Sequence, residues 1–257
     1  MSGLLSNKVI VVTGASNGLG RSIAIGAARH GARGVVVADL DEVPREEATT
    51  STSEVEKLGV PARFVRANVT SPEDNDAMMA AADELGGINL MVANAGIVLP
   101  KDEGADMPAA AWRTLLSINL DGVFFGAQAA GQSMRAHGKG GSIVLMTSVM
   151  GFMSNSMSIA YSTSKSGLIG MMRGLASALG PDGIRVNAVA PGPVESPMLH
   201  TDPDFFAANE KLRERFLLGR YAQPDDITNA VAFYGSDLSS YVTATTLPVD
   251  GGLIASL

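Results

Sequence analysis

Tyr161-Ser162-Thr163-Ser164-Lys165 places a phenol and an amine four positions apart, neighbours on one face if the segment is helical. A phenol with an ordinary pKa of about 10 is a poor base at neutral pH. An ammonium about 4–5 Å away, at an effective dielectric of ~20, would stabilise the phenolate by roughly 3–4 kcal/mol. That would bring Tyr161 towards neutrality and make it a general acid or base. An isolated Tyr-x3-Lys also describes a surface tyrosine beside a solubilising lysine, so context decides. Ser148 follows the apolar run Ile143–Met146 and stands thirteen residues before Tyr161. If that run is a strand, its carboxyl end is where an α/β sheet binds ligands, and the three side chains can converge.

A second constellation lies near the start. Val9-Ile10-Val11-Val12 leads into Thr13-Gly14-Ala15-Ser16-Asn17-Gly18-Leu19-Gly20 and then a helical stretch. Missing Cβ atoms let the chain turn sharply and its backbone approach a pyrophosphate, and a helix opening near Gly18 offers free N–H groups and a positive dipole end. An ordinary tight turn is the plain alternative. The next strand, however, ends in Asp39, nineteen positions beyond Gly20, where a carboxylate can accept hydrogen bonds from an adenosine ribose. The neighbours Asn17, Leu40, Asp41 and Glu42 carry no positive charge, and Arg33 precedes the strand. A ribose phosphate would be repelled there, so the dinucleotide expected is NAD.

The elements that must position these groups follow from apolar patterning. Short runs recur at Val9–Val12, Val35–Val37, Phe64–Val65, Leu90–Ala93, Ile143–Met146, Val186–Val189 and Leu247–Val249. Helical segments separate most of them, at Leu19–His30, Pro72–Leu85, Trp112–Arg135 and Ser164–Leu179. Strands apolar on both faces and alternating with helices predict an α/β fold: a doubly wound, mainly parallel seven-stranded sheet with helices on both faces. One domain over 1–257 accounts for the whole chain. Thr49–Ser53 reads as a poor helix former. No strand signal lies between Pro191 and Pro224, and a substrate lid is expected at about 193–220.

Composition narrows the function classes. Of 257 residues, 46% are hydrophobic and 18% charged, which supports a buried core and excludes general disorder. With 19 basic against 26 acidic residues the net charge is −7, poor for binding a nucleic-acid backbone. The absence of cysteine excludes disulfides, thiolate chemistry and cysteine-held metals, and fits a cytoplasmic setting. His30, His137 and His200 show no ligand spacing, so no metal is expected. Neither a signal peptide nor a spanning helix is expected, since the uncharged stretch from Gly140 to Ser164 is broken by polar residues.

Taken in order, these motifs resemble the short-chain dehydrogenase/reductase family, in its short single-domain branch, from Thr13 to Gly252. The loop Thr13-Gly14-x3-Gly18-x-Gly20 looks like the family's cofactor loop. Asn94-Ala95-Gly96 looks like its signature after strand four, and Asn119 like its catalytic asparagine. Ser148, Tyr161 and Lys165 complete the tetrad. Asn187 through Pro191-Gly192 and Val249-Asp250-Gly251-Gly252 match its later motifs. The departures are Ala93 for a frequent asparagine, Asn68-Val69 for Asp-Val, Ser196 for threonine and Ala244 for glycine.

The resemblance implies a Rossmann-like fold, hydride exchange between NAD and an alcohol or ketone, and a homo-oligomer in the form of a tetramer. Tyr161 would move the hydroxyl proton, Lys165 depress its pKa and hold the nicotinamide ribose, Ser148 bind the substrate oxygen, and Asn119 position a relay water. Cofactor contacts are expected from Gly14, Ser16, Asn17, Gly18, Leu19, Gly20, Asp39, Leu40, Asn68, Val69, Asn94, Ala95, Gly96, Tyr161, Lys165, Pro191, Gly192, Val194 and Ser196. Met150, Phe152, Met153, Met198, Leu199, Phe205 and Phe206 flank Ser148 or lie in the lid segment, which suits a hydrophobic cyclic or aromatic substrate. Asn155, Glu195 and Asp202 keep a sugar or polyol dehydrogenase open. A non-catalytic NAD-sensing scaffold is the third reading.

Overall fold

The computed structural model describes residues 3–45, 47–99, 104–155, 158–195, 210 and 212–256. Seven strands form one sheet: β1 (Val9–Thr13), β2 (Gly34–Asp39), β3 (Ala62–Arg66), β4 (Leu90–Ala93), β5 (Gly141–Met146), β6 (Ile184–Pro191) and β7 (Thr246–Val249). Their order is β3-β2-β1-β4-β5-β6-β7, and every pairing is parallel. The order reverses direction between β1 and β4, and the crevice at such a reversal is where an open α/β sheet binds ligands.

Alternation along the strands splits the core in two. Val12, Val35, Val37, Leu90 and Val92 point to a layer with α1 (Gly18–Arg29), α2 (Ser51–Lys57) and α7 (Pro224–Gly235). Val11, Val36, Ala38, Met91 and Ala93 point to the opposite layer, with α3 (Pro72–Glu84), α5 (Gly122–His137) and α6 (Ile159–Leu179). Two-sided burial explains why the inner strands are continuous apolar runs. The two edges differ. β3 exposes Arg63 and Arg66, whereas β7 carries Pro248 and is half-buried throughout.

Helix ends are set by local chemistry. Ser71 caps α3 by accepting the Asp74 N–H at 3.1 Å, with Pro72 in the first turn. Gly138 ends α5 in the left-handed region at φ 64°. Two expectations change. The Thr49–Ser53 cluster does not lie outside helical structure: Thr50 accepts the Ser53 N–H at 3.2 Å and starts α2, because hydroxyls that disfavour a helix interior favour its N-cap. The predicted segment Trp112–Arg135 is α4 (Ala109–Leu116) and α5 joined by a π turn, Ser117–Asp121. Among the described residues no helix is long and apolar enough to cross a membrane, and no cluster of His, Asp and Glu could hold a metal ion.

Candidate active site

The glycine loop joins β1 to α1 at the reversal. Gly14 and Gly18 have φ of 63° and 53°, the left-handed region that disfavours other residues. A Cβ on Gly20 would stand 2.1 Å from the Gly14 carbonyl oxygen, so the helix start can approach the loop only with glycine there, while a Cβ on Gly18 would project into open space. Asn17 is the N-cap of α1, yet its side chain does not cap the helix; its Oδ1 accepts the Arg45 N–H at 2.8 Å. The first turn therefore keeps N–H groups for an anion. This open cradle fits a dinucleotide pyrophosphate.

Asp39 ends β2 beside that cradle. Its Oδ2 accepts the Ser16 N–H at 2.9 Å and its Oδ1 the Leu40 N–H at 2.8 Å, so the carboxylate is fixed with lone pairs left for ribose hydroxyls. Leu40 is exposed next to it. Asn68 and Val69 lie beyond the end of β3. The Asn68 Oδ1 accepts both the Thr70 N–H at 3.1 Å and the Thr70 hydroxyl at 2.9 Å. Its amide oxygen is thus already engaged, which leaves its amide N–H groups as the donors it can present.

Asn94, Ala95 and Gly96 tie this half of the site to the other. The Asn94 side chain donates to the Thr13 carbonyl at 2.9 Å and the Gly14 carbonyl at 3.3 Å. The Thr13 hydroxyl accepts both the Asn94 and the Ala95 N–H at 3.0 Å. Asn94 therefore braces the loop from behind. Two residues on, the Cβ direction of Gly96 meets Asn119 Oδ1 at 3.3 Å and Lys165 Nζ at 3.6 Å. The nucleotide loop and the candidate catalytic groups are neighbours.

Asn119, wholly buried, sits in the π turn, a distortion frequent at functional sites. Its Oδ1 accepts the Ile97 N–H at 2.8 Å, while its Nδ2 donates to the Ile97 carbonyl at 2.9 Å and the Ser164 hydroxyl at 3.4 Å. Ser164 in turn donates to the Tyr161 carbonyl at 2.7 Å. Ser148 lies two residues past β5, where its Oγ accepts the Met150 N–H at 3.2 Å. The Tyr161 hydroxyl lies near enough for Ser148 to draw its pKa down. Tyr161 and Lys165 occupy the first turns of α6, with Lys165 Nζ 5.6 Å from the tyrosine ring centre.

The electrostatics differ from the expectation built on spacing. Burial pushes the Tyr161 hydroxyl above its usual value, and Ser148 draws it only partly back. Burial also pulls Lys165 down to about 8, and its ammonium donates to the Met146 carbonyl at 2.8 Å. The amine is neighbour to the ring but committed to a backbone oxygen. In the chain by itself, desolvation of the phenolate therefore outweighs attraction to the lysine.

Pro191 and Gly192 close β6, where the Gly192 N–H donates to the Val249 carbonyl at 3.0 Å, and Val194 bridges to Ala222. Of the expected pocket wall, Met150, Phe152, Met153, Asn155 and Glu195 lie among the described residues. Ser196, Met198, Leu199, Asp202, Phe205 and Phe206 lie outside them. Val149, Phe216, Tyr221 and Leu253 make a separate small core, with Met153 packed against it. Sequence reasoning quoted Thr13 and Ser164 within its motifs but gave neither a role, and it missed Arg66. Their partners lie far away in the chain, except that Ser164 stands beside Lys165. Arg66 corrects the expectation that Asp39 has no basic neighbour, because strand register pairs the two.

The family model described as Enoyl-(Acyl carrier protein) reductase matches residues 14–254. The chain belongs to the short-chain dehydrogenase/reductase family. This member is 36% identical to an L-rhamnose 1-dehydrogenase (NAD(P)(+)) of Azotobacter vinelandii, over 99% of both chains. It is also 36% identical to a cis-4-hydroxycyclohexanecarboxylate dehydrogenase of Sinomonas cyclohexanicum, over 99% of this chain and all of that one. Among solved structures, carveol dehydrogenase from Mycobacterium avium in complex with NAD superposes with a TM-score of 0.91 at 31% identity, covering 99% of this chain and all of the other. This short-chain dehydrogenase/reductase is an oxidoreductase.

Proposed function

We propose that the chain oxidises a ring-borne secondary alcohol, or reduces the matching ketone, with NAD as the preferred partner. The observation that carries this reading is the meeting of two halves at Gly96: the glycine cradle and Asp39 on one side, Ser148, Tyr161 and Lys165 on the other. The nicotinamide would be held from the cradle through Lys165, and when bound it supplies the hydride chemistry. Ser148 hydrogen-bonds the substrate oxygen. Tyr161 gives that oxygen a proton in reduction and takes one in oxidation. Because burial raises the Tyr161 pKa, the phenol starts protonated and is ready as an acid. Oxidation needs the phenolate and therefore gains as pH rises from 7 towards 10. Asn119 holds Ile97 and Ser164, and so keeps the floor of the site and α6 in register; a relay water would sit beside it.

The apolar side chains Met150, Phe152 and Met153 beside Ser148 favour a hydrophobic cyclic alcohol, in keeping with the hydroxycyclohexane relative. A sugar or polyol is the second reading, favoured by the rhamnose relative at equal identity. Residues from about 193 to 220 would form the substrate lid. A screen of cyclohexanols, aromatic carbinols and aldoses, followed by nicotinamide absorbance, separates the two. Y161F should lower turnover on any accepted alcohol by at least about 10²-fold while nucleotide binding persists. Near-normal turnover in that variant would sink the mechanism.

Asp39 sets the cofactor. A 2′-phosphate carries about −1.5 to −2 charges, and a unit charge about 4 Å away repels it by roughly 1.5–8 kcal/mol across dielectrics of 80 to 20. NAD should exceed NADP by about tenfold or more in kcat/KM, and D39A should shrink the ratio. Equal kcat/KM for both cofactors in the unaltered chain would contradict this.

A further inference from the structure

Asp39 and Arg66 face each other across β2 and β3, about 4.8 Å apart at the usual spacing of parallel strands. Paired residues in a sheet share a face. Here it is the face of α1 and α2, because Val37 and Phe64, two positions earlier on each strand, pack into that layer. Arg66 Nη2 stands 3.3 Å from Asp41 Oδ1. The Asp41 carbonyl accepts the Ser16 hydroxyl at 2.6 Å, so the ion pair stands against the glycine loop. Among the described residues this rim also carries Asp39, Glu42, which accepts the Thr52 hydroxyl, Arg45, whose backbone N–H goes to Asn17, and the exposed Glu47.

Both members of the pair are 78% exposed, and such a pair contributes only about 0–1 kcal/mol. It exchanges readily for a better anion. A guanidinium is well matched to a phosphomonoester, which it can bind through two parallel N–H bonds. Resting on the nucleotide reading above, we infer that Arg66 is a specificity-determining residue: it trades Asp41 for a 2′-phosphate and so admits the phosphorylated dinucleotide that Asp39 disfavours. Asp39 sets the direction of the preference and Arg66 limits its size.

Calorimetric titration of the intact chain with ADP-ribose, adenosine 2′,5′-bisphosphate and inorganic phosphate tests this without turnover. R66Q should lower the affinity ratio of the bisphosphate to ADP-ribose by about two- to fivefold, and D41N should raise it by a similar factor. A ratio unmoved in both variants overturns the inference. So does inorganic phosphate competing as well as the bisphosphate, which would make Arg66 a general anion contact. If ADP-ribose fails to bind the unaltered chain, the nucleotide reading falls and takes the inference with it. If ADP-ribose binds and only the ratio stays fixed, the reading stands and Arg66 is not the determinant.

Discussion

Burial holds Lys165 at about 8, against about 10.4 in an unfolded chain. Below pH 8 both states carry the charge and the folded state bears the whole penalty, roughly 3 kcal/mol. Between the two values the unfolded chain binds more protons, so stability rises with pH across that window. Tyr161 acts oppositely: its raised pKa makes stability fall once the unfolded phenol ionises, above about pH 10. K165M should therefore raise Tm at pH 7, flatten the gain between pH 8 and 10, and lower turnover at least tenfold. Thermal denaturation from pH 6 to 10 checks this, and a lower Tm at pH 7 would contradict it. The Tyr161–Lys165 relation was legible because four residues of helix fix it. The direction of the tyrosine shift was not, since spacing carries no information about desolvation or about a lysine turned to Met146. Arg66 was invisible for another reason: its closeness to Asp39 comes from register between strands.

The π turn at Ser117–Asp121 shows what an element adds to a residue. An uninterrupted helix was a fair reading of Trp112–Arg135, because its apolar periodicity continues through the turn and the single glycine at the break, Gly122, is tolerated inside a helix. The structure inserts one wider turn there, and Asn119 projects from it to Ile97 and Ser164. N119A leaves the Ile97 backbone groups without their partner, which should destabilise by about 1–3 kcal/mol. The same change should lower kcat more than it raises KM, since Asn119 holds Ile97 and Ser164 beside the candidate catalytic groups and makes no direct hydrogen bond to the glycine loop. Chemical denaturation with steady-state kinetics reads both effects, and a change confined to KM would show that the turn serves binding alone. The Thr49–Ser53 cluster teaches the converse. Its residue types were read correctly as poor in a helix interior, but capping depends on which one stands first.

At the scale of the molecule, the parallel seven-stranded sheet and its two-sided burial were legible because parallel strands must be apolar on both faces, whereas the strand order was not. How copies assemble is a different question. Phe124 is 37% exposed, and Phe125 and Ile169 keep part of their surface open on α5 and α6. Apolar side chains spread around helices call for cover on more than one side. We expect a homo-oligomer that uses these two helices, in the form of a tetramer. Light scattering at micromolar protein checks it, and a monomer mass would refute it. The sheet's two rims bear on what such assembly must avoid. Exposed backbone at the end of a sheet is a template on which further strands can add without limit. On β3, Arg63 and Arg66 line one rim with long charged side chains, held by Glu84 and Asp41, which an incoming strand would have to desolvate. On β7, Pro248 withholds an amide N–H from any incoming strand. Arginine at one rim and proline at the other thus keep an open seven-stranded sheet from growing into a fibre.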